Sequence, residues 1–372
     1  MKWNYKQPVE IIFGNSKINE IKEIINKLWY KNGLLVIGKS FVKDGLAEKL
    51  LNENSEKIIK VFSNISANPD VCEVDECAEI IRKNNIEFII ALGGGSVLDC
   101  AKAASVICTI NDSISKYHGT NKKLPLNHIP IIALPTTAGT GSEVTNVSVL
   151  SDKLNGKKAP IVSDLFYPKI AIIDPELTYS MPKSVTASSG IDVLSHALEA
   201  YWSKNHQPIC DILATYAASL VFENLEKAYN NPNDKIAREK MAEASLIAGL
   251  AFNLPKTTAS HACSFPLTNI YKIPHGEACG LTLDYFAKIN AKAEDGRLDK
   301  FAIKIGFKDA YNMADEIHLL KERINLRNDL KDLNLTNEKI EELVKISRHP
   351  NLYNNPIEIT DDMLRKMYKS MI

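Results

Sequence analysis

Residues 190–202 read GIDVLSHALEAYW, an apolar helical run that sets Asp192 and His196 four positions apart. Residues four apart on an α-helix lie on one face, so this carboxylate and this imidazole point the same way. Such a pair is either an ion pair or two adjacent ligands of one divalent cation. Two more histidines follow in KTTASHACSFPLTNIYKIPHGEACGL. His261 comes after small residues, and His275 is held between Pro274 and Gly276 at a helix entry, where little conformational freedom is left to lose on ligation. One aspartate and three histidines make a carboxylate-and-imidazole set of the borderline type suited to zinc, iron or nickel. The other histidines, at 118, 128, 206, 318 and 349, show no comparable spacing and read as structural or solvated.

Two further stretches suit a phosphate. FIIALGGGSVLDCAKAAS puts Gly93, Gly94, Gly95 and Ser96 between an apolar strand and a helix, where glycine lets the backbone come close and the helix start favours an anion. The usual dinucleotide fingerprint would need glycine where Leu98 stands. PTTAGTGSEVTNVSVL then offers Thr136, Thr137, Thr140 and Ser142 after the strand IPIIAL. Two such turns at the carboxyl ends of parallel strands suit one extended nucleotide. Two tight loops whose hydroxyls satisfy their own backbone remain the alternative.

The elements that must position these residues change character along the chain. In the first half short β-branched runs (VEIIFG, LLVIG, KIIKVFS, FIIALGGG, HIPIIALPTT, KIAIIDP) alternate with amphipathic stretches. That alternation predicts a parallel sheet with helices on its faces. Asn68 is read as the N-cap of the helix in ANPDVCEVDECAEIIRKN, with Pro69 at its first position. Beyond KSVTASSGIDVLSHALEAYW the periodicity is helical to the end. The prediction is an α/β domain over residues 1–182 and an all-helical domain over 183–372, with a cleft expected between them.

Composition narrows the partners. Lys plus Arg and Asp plus Glu each number 45 in 372 residues, so no global field draws a polyanion or an acidic membrane, and nucleic acid is not expected. No apolar run reaches a membrane span, and MKWNYKQPVEIIFG lacks the apolar stretch of a signal peptide, so a cytoplasmic location is expected. Seven cysteines without a C-x-x-C pair read as reduced, mostly buried thiols, with Cys263 and Cys279 set apart by their nearness to the histidines.

VEIIFG, GGGSVLD, PTTAGTGSE, DPELT, GIDVLSHALEAY, PHGEA and SRHPNLYNNP, in this order over nearly the whole chain, resemble the iron-containing (group III) alcohol dehydrogenases. The resemblance implies a Rossmann-like dinucleotide-binding domain followed by a helical metal-binding domain, as in the dehydroquinate synthase-like superfamily, and at least a homodimer. It places metal ligands on Asp192, His196, His261 and His275, with Fe2+ first and Zn2+ or Ni2+ as alternatives. It places cofactor positions, for NAD or NADP, on Asn68, Gly94, Gly95, Ser96, Asp99, Thr136, Thr137, Thr140, Val149 and Lys158. The implied activity is hydride transfer between nicotinamide and a small alcohol or aldehyde.

Two positions depart from the family pattern. Phe265 stands where many members carry a histidine four residues after His261, which removes that group as a proton relay. Gly38 stands where NAD-preferring relatives often place an aspartate, and Lys39 follows, which makes a 2′-phosphate tolerable. The run NLPKTTASHACSFPLT is similar to the branch that includes phosphonoacetaldehyde reductases, and Lys256, five residues before His261, is placed to hold an anionic tail. The competing readings are a glycerol dehydrogenase-like polyol oxidoreductase and a non-catalytic metal or nucleotide binder.

Overall fold

The computed structural model describes residues 3–120 and 122–372, and the statements below concern those residues. They form two compact units: Lys6–Thr137 with Gly141–Thr178, and Tyr179–Ile372 with Ala138–Thr140 and the residues just before Lys6.

The first unit holds strands β1 (Glu10–Phe13), β2 (Gly33–Ile37), β3 (Ile58–Phe62), β4 (Phe88–Gly93), β5 (Ile131–Pro135), β6 (Val147–Asp152), β7 (Lys157–Val162) and β8 (Ile170–Ile173). Its helices are α1 (Ile21–Lys27), α2 (Lys39–Lys43), α3 (Leu46–Glu53), α4 (Val71–Lys83) and α5 (Gly95–Ile107). Six strands make one parallel sheet in the order β1-β8-β5-β4-β2-β3. The period of two along each strand sorts its side chains to opposite faces. Leu34, Val36, Ile89 and Ala91 join the core under α4 and α5, while Leu35, Ile37, Ile90 and Leu92 join the core under α1 and α3. Both faces are covered, which is why these strands read as unbroken apolar runs.

The chain winds outward from β2 to β3 and in the other direction from β4 to β5, so the strand order reverses between β2 and β4. Ligands in open α/β sheets bind outside the carboxyl ends of strands at such a reversal. The glycine-rich turn after β4 leaves from that point.

Three local outcomes differ from the sequence expectation. The N-cap of α4 is Asp70, not Asn68: its carboxylate accepts from Cys72 N at 3.0 Å, and Glu73 reaches back to Asp70 N at 3.0 Å in a capping box. Asn68 instead takes a left-handed conformation with φ 58°. The amphipathic stretch VKDGLAEKLLNE does not run as one helix, because Gly45 at φ 78° breaks it between α2 and α3. The stretch after the Thr-rich turn forms the antiparallel hairpin β6–β7, in which the period-two pattern of VSVLSD buries Ser148, Leu150 and Asp152.

The second unit is helical throughout: α6 (Lys183–Trp202), α7 (Pro208–Asn230), α8 (Lys235–Phe252), α9 (Ala259–Tyr271), α10 (His275–Asn290), α11 (Arg297–Lys304), α12 (Ala310–Arg323), α13 (Asn337–Ile346) and α14 (Asp361–Ser370). No helix is long and apolar enough to cross a membrane. Helix α6 is the axis of this unit, buried on every side from Gly190 to Trp202, with α7, α8, α9 and α10 packed around it. Glycine allows α10 to come unusually near. A Cβ on Gly276 would stand 1.9 Å from the Ser188 carbonyl oxygen, and one on Gly280 would stand 2.6 Å from Ile191 Cγ1.

Gly276→Ala therefore forces the α6 and α10 backbones apart and should cost about 1–3 kcal/mol or more in denaturant unfolding, the usual range for overpacking. Gly38→Ala, whose new Cβ meets nothing nearer than 3.8 Å, should stay within about 0.5 kcal/mol of the parent. Equal stability of the two variants would show that the close approach is not required.

Candidate metal centre and dinucleotide cradle

On α6, Asp192, His196 and Glu199 follow at i, i+4 and i+7, one stripe of a helix otherwise packed in apolar side chains. Helix α10 carries a second pair at the same spacing, His275 and Cys279, and α9 contributes His261 from its first turn. The close packing of α10 on α6 brings the two pairs together. One donor atom each from Asp192, His261, His275 and Cys279 lies within 4.8 Å of the others. His261 Nε2 stands 3.6 Å from Asp192 Oδ1 and 3.0 Å from His196 Nε2, and Cys279 Sγ stands 3.8 Å from His275 Nε2. The structure thus gathers all four residues expected as ligands, and adds a thiol.

The arrangement fits a divalent cation. His196 Nε2 and His261 Nε2 face one another at 3.0 Å in the core, where two ring lone pairs need a proton or a cation between them. Burial, then the neighbouring imidazoles of His261 and His275, hold His196 well below its ordinary pKa, so it stays neutral, the form that ligates. Phe252 stacks on its ring at 4.1 Å between centroids and fixes the ring plane.

Glu199, which sequence reasoning missed, orients the third element. It is fully buried, and its carboxylate accepts from Thr258 Oγ1 and Ser260 N at 2.8 Å each, from His261 N at 3.3 Å, and from His261 Nδ1 through a very short contact. A carboxylate on Nδ1 fixes the proton there and leaves the Nε2 lone pair facing Asp192 and His196. Trp202 Nε1 completes the chain by donating to Thr258 Oγ1 at 2.7 Å. The available signal was a lone Glu on the same helical stripe as Asp192 and His196.

In the first unit, α5 has Gly94 as its N-cap and no side-chain cap, leaving first-turn N–H groups for a ligand. A Cβ on Gly94 would meet Thr137 at 3.3 Å, so the two turns touch. Asn68 N donates to Ser96 Oγ at 3.3 Å, and Lys158 Nζ donates to Asn68 Oδ1 at 2.6 Å. Gly94, Ser96, Thr137, Asn68 and Lys158 thus cluster at the carboxyl ends of the strands. Asp99 does different work: its oxygens accept from Ser142 Oγ at 2.8 Å and Val149 N at 2.9 Å, tying α5 to the hairpin. Lys102, pushed down to about 8 by burial, bridges Ser142, Thr145 and the Val147 carbonyl and braces the same corner. Thr140 falls in the helical unit.

Lys256 follows the end of α8 in a left-handed conformation, φ 64°, with its N–H on the Phe252 carbonyl at 2.8 Å. Phe265 lies between His275 and His349, at 6.5 and 4.6 Å between centroids.

Glu199→Ala should weaken metal binding about 10–100-fold, the usual loss when the partner of a ligating histidine is removed, and Glu199→Gln, which keeps an acceptor, should lose less. Chelator competition measures both. Wild-type affinity in the alanine variant would remove Glu199 from the centre.

A family model described as iron-containing alcohol dehydrogenase matches residues 8–175, and one described as the C-terminal part of the Fe-containing alcohol dehydrogenase family matches residues 186–372. Among curated proteins, alcohol dehydrogenase 4 of Schizosaccharomyces pombe is 32% identical over 96% of this chain and 86% of its own length. The 1,3-propanediol dehydrogenase of Klebsiella pneumoniae is 36% identical over 81% of this chain and 78% of its own. Among solved structures, sulfoacetaldehyde reductase from Bifidobacterium kashiwanohense in complex with NAD+ superposes with a TM-score of 0.98 at 62% identity, covering 100% of this chain and 99% of that one. With both halves matched and the arrangement kept from end to end, this chain belongs to the iron-containing alcohol dehydrogenase family.

Proposed function

We propose that this enzyme, a metal-dependent nicotinamide-linked oxidoreductase of alcohols and aldehydes, reduces small aldehydes that carry an anionic tail, a sulfonate or phosphonate. The gathering of Asp192, His196, His261 and His275 donors inside the helical unit carries the reading. The 62% identity to a sulfoacetaldehyde reductase supports the sulfonate as the first tail to test.

In this reading those four residues hold the divalent metal, Fe2+ first, and NAD or NADP lies on Asn68, Gly94, Gly95, Ser96, Thr136, Thr137 and Lys158, with Asp99 and Val149 tying the cradle together. The metal supplies Lewis-acid polarisation of the carbonyl and the nicotinamide supplies the hydride. The protein's own side chains set the geometry. Glu199 keeps the proton on His261 Nδ1, burial keeps His196 neutral, and Phe252 holds its ring plane. Phe265 brings no proton to the site, so the proton for the product alkoxide comes from another donor. Lys39, whose Nζ lies 3.4 Å from Asn64 Oδ1 beyond β2, accommodates a 2′-phosphate in the absence of an acidic neighbour at Gly38. The family resemblance supports assembly as a homodimer.

Lys256 anchors the anionic tail. A lysine in the left-handed region costs roughly 1–2 kcal/mol that glycine would not. Oxidation of NADH and NADPH, followed with sulfoacetaldehyde, phosphonoacetaldehyde and propionaldehyde, should give the lower KM for the anionic aldehydes. Lys256→Gly should raise KM for these about 10–100-fold, the worth of one charge-assisted hydrogen bond, while leaving propionaldehyde little changed and folding stability equal or higher. Equal effects on charged and neutral aldehydes would end the anchor role.

A further inference from the structure

The four expected ligands leave one donor unassigned. Cys279 is one helical turn past His275 on the same face of α10, fully buried, and aimed at the atoms that face one another across α6 and α9. With metal–nitrogen and metal–oxygen bonds of about 2.1 Å and a metal–sulfur bond of about 2.3 Å, adjacent donors around one ion stand about 3.0–3.6 Å apart, from octahedral to tetrahedral angles, and five donors in an octahedral set leave the sixth position for the carbonyl. The 3.0 Å from His196 Nε2 to His261 Nε2 and the 3.6 Å from His261 Nε2 to Asp192 Oδ1 fall on those edges, and the 3.8 Å from Cys279 Sγ to His275 Nε2 lies just outside them. A second observation points to a ligand at the same place: His196 Nε2 and His261 Nε2 face one another at 3.0 Å inside the core, which requires a proton or a cation between their lone pairs. The other cysteines take no part. Cys77, Cys100 and Cys108 lie in the sheet unit, Cys72 is exposed, Cys210 is buried in α7, and Cys263 packs in the helical core.

Resting on the metal centre argued above, we propose that Cys279 coordinates the metal as a thiolate, making this a mixed carboxylate, imidazole and thiolate centre. Formation of the sulfur–metal bond breaks the S–H bond and releases one proton to solvent; no electron is transferred. A soft donor beside harder ones biases the centre toward zinc and cobalt and away from manganese and magnesium.

Cobalt substitution tests this. Metal-free enzyme loaded with one equivalent of Co(II) should show visible d–d bands, which report binding, and an intense near-ultraviolet sulfur-to-cobalt charge-transfer band. Cys279→Ser should keep the d–d bands and lose the charge-transfer band, while Cys72→Ser and Cys263→Ala should keep both. In competition titrations Cys279→Ser should lose at least about tenfold in zinc affinity and no more than about threefold in manganese affinity. Visible bands without charge transfer in the wild type, or a charge-transfer band unaltered in Cys279→Ser, would overturn the thiolate while leaving the metal centre standing. Failure of cobalt to bind at all would overturn both. Should Cys279→Ser not fold, the wild type with one equivalent of cadmium decides: cadmium–thiolate ultraviolet absorption supports the proposal, and its absence overturns it.

Discussion

A carboxylate, three imidazoles and a thiol facing one another inside a helical core make a set of polar groups that apolar packing cannot satisfy. Two imidazole nitrogens 3.0 Å apart in a dry interior need a proton or a cation between their lone pairs. The rest of the helical unit can be understood as the scaffold that keeps this set assembled. Helix α6 is buried all round because it supplies the first pair from the middle of the unit, and α10 supplies the second because Gly276 and Gly280 allow backbone to approach backbone. Glu199 then fixes the imidazole contributed by α9.

The sheet unit meets a different requirement with the same economy. Parallel strands covered on both faces leave only their ends open, and the strand order reverses between β2 and β4, where a glycine-rich turn begins. The polar groups at that corner divide into two sets. Asp99 and Lys102 are consumed by internal bonds that join α5 to the hairpin, and Asn68, Ser96, Thr137 and Lys158 gather by the uncapped start of α5. A rigid brace behind a polar cradle is the arrangement that pre-organised binding needs.

Much of this was legible in the sequence, and what was not has physical reasons. Asp192 and His196 could be found because one helix carries both, so spacing alone puts them on one face. His275 could be found because proline and glycine on either side limit its freedom. Glu199 was overlooked because a lone acid in an apolar run gives no sign of its partners, which come from Thr258, Ser260 and His261 about sixty residues away. Cys279 repeats the four-residue spacing from His275, but its meaning depends on α10 lying against α6, a tertiary fact. Asn68 was misread as a cap although the Asp70–Glu73 spacing is that of a capping box, and the β6–β7 hairpin was missed because its period-two pattern follows directly on a Thr-rich turn. Local signals give elements and pairs; the convergence of three helices on one point is set by packing.

The central claim is that these side chains from α6, α9 and α10 share one ion. Anomalous diffraction from crystals of the iron- or zinc-loaded enzyme, collected at the metal absorption edge, tests it most directly. The account predicts a single strong peak within about 2.5 Å of donor atoms of Asp192, His196, His261 and His275. A peak elsewhere, or full metal occupancy with any of these four residues well outside bonding distance, would contradict it.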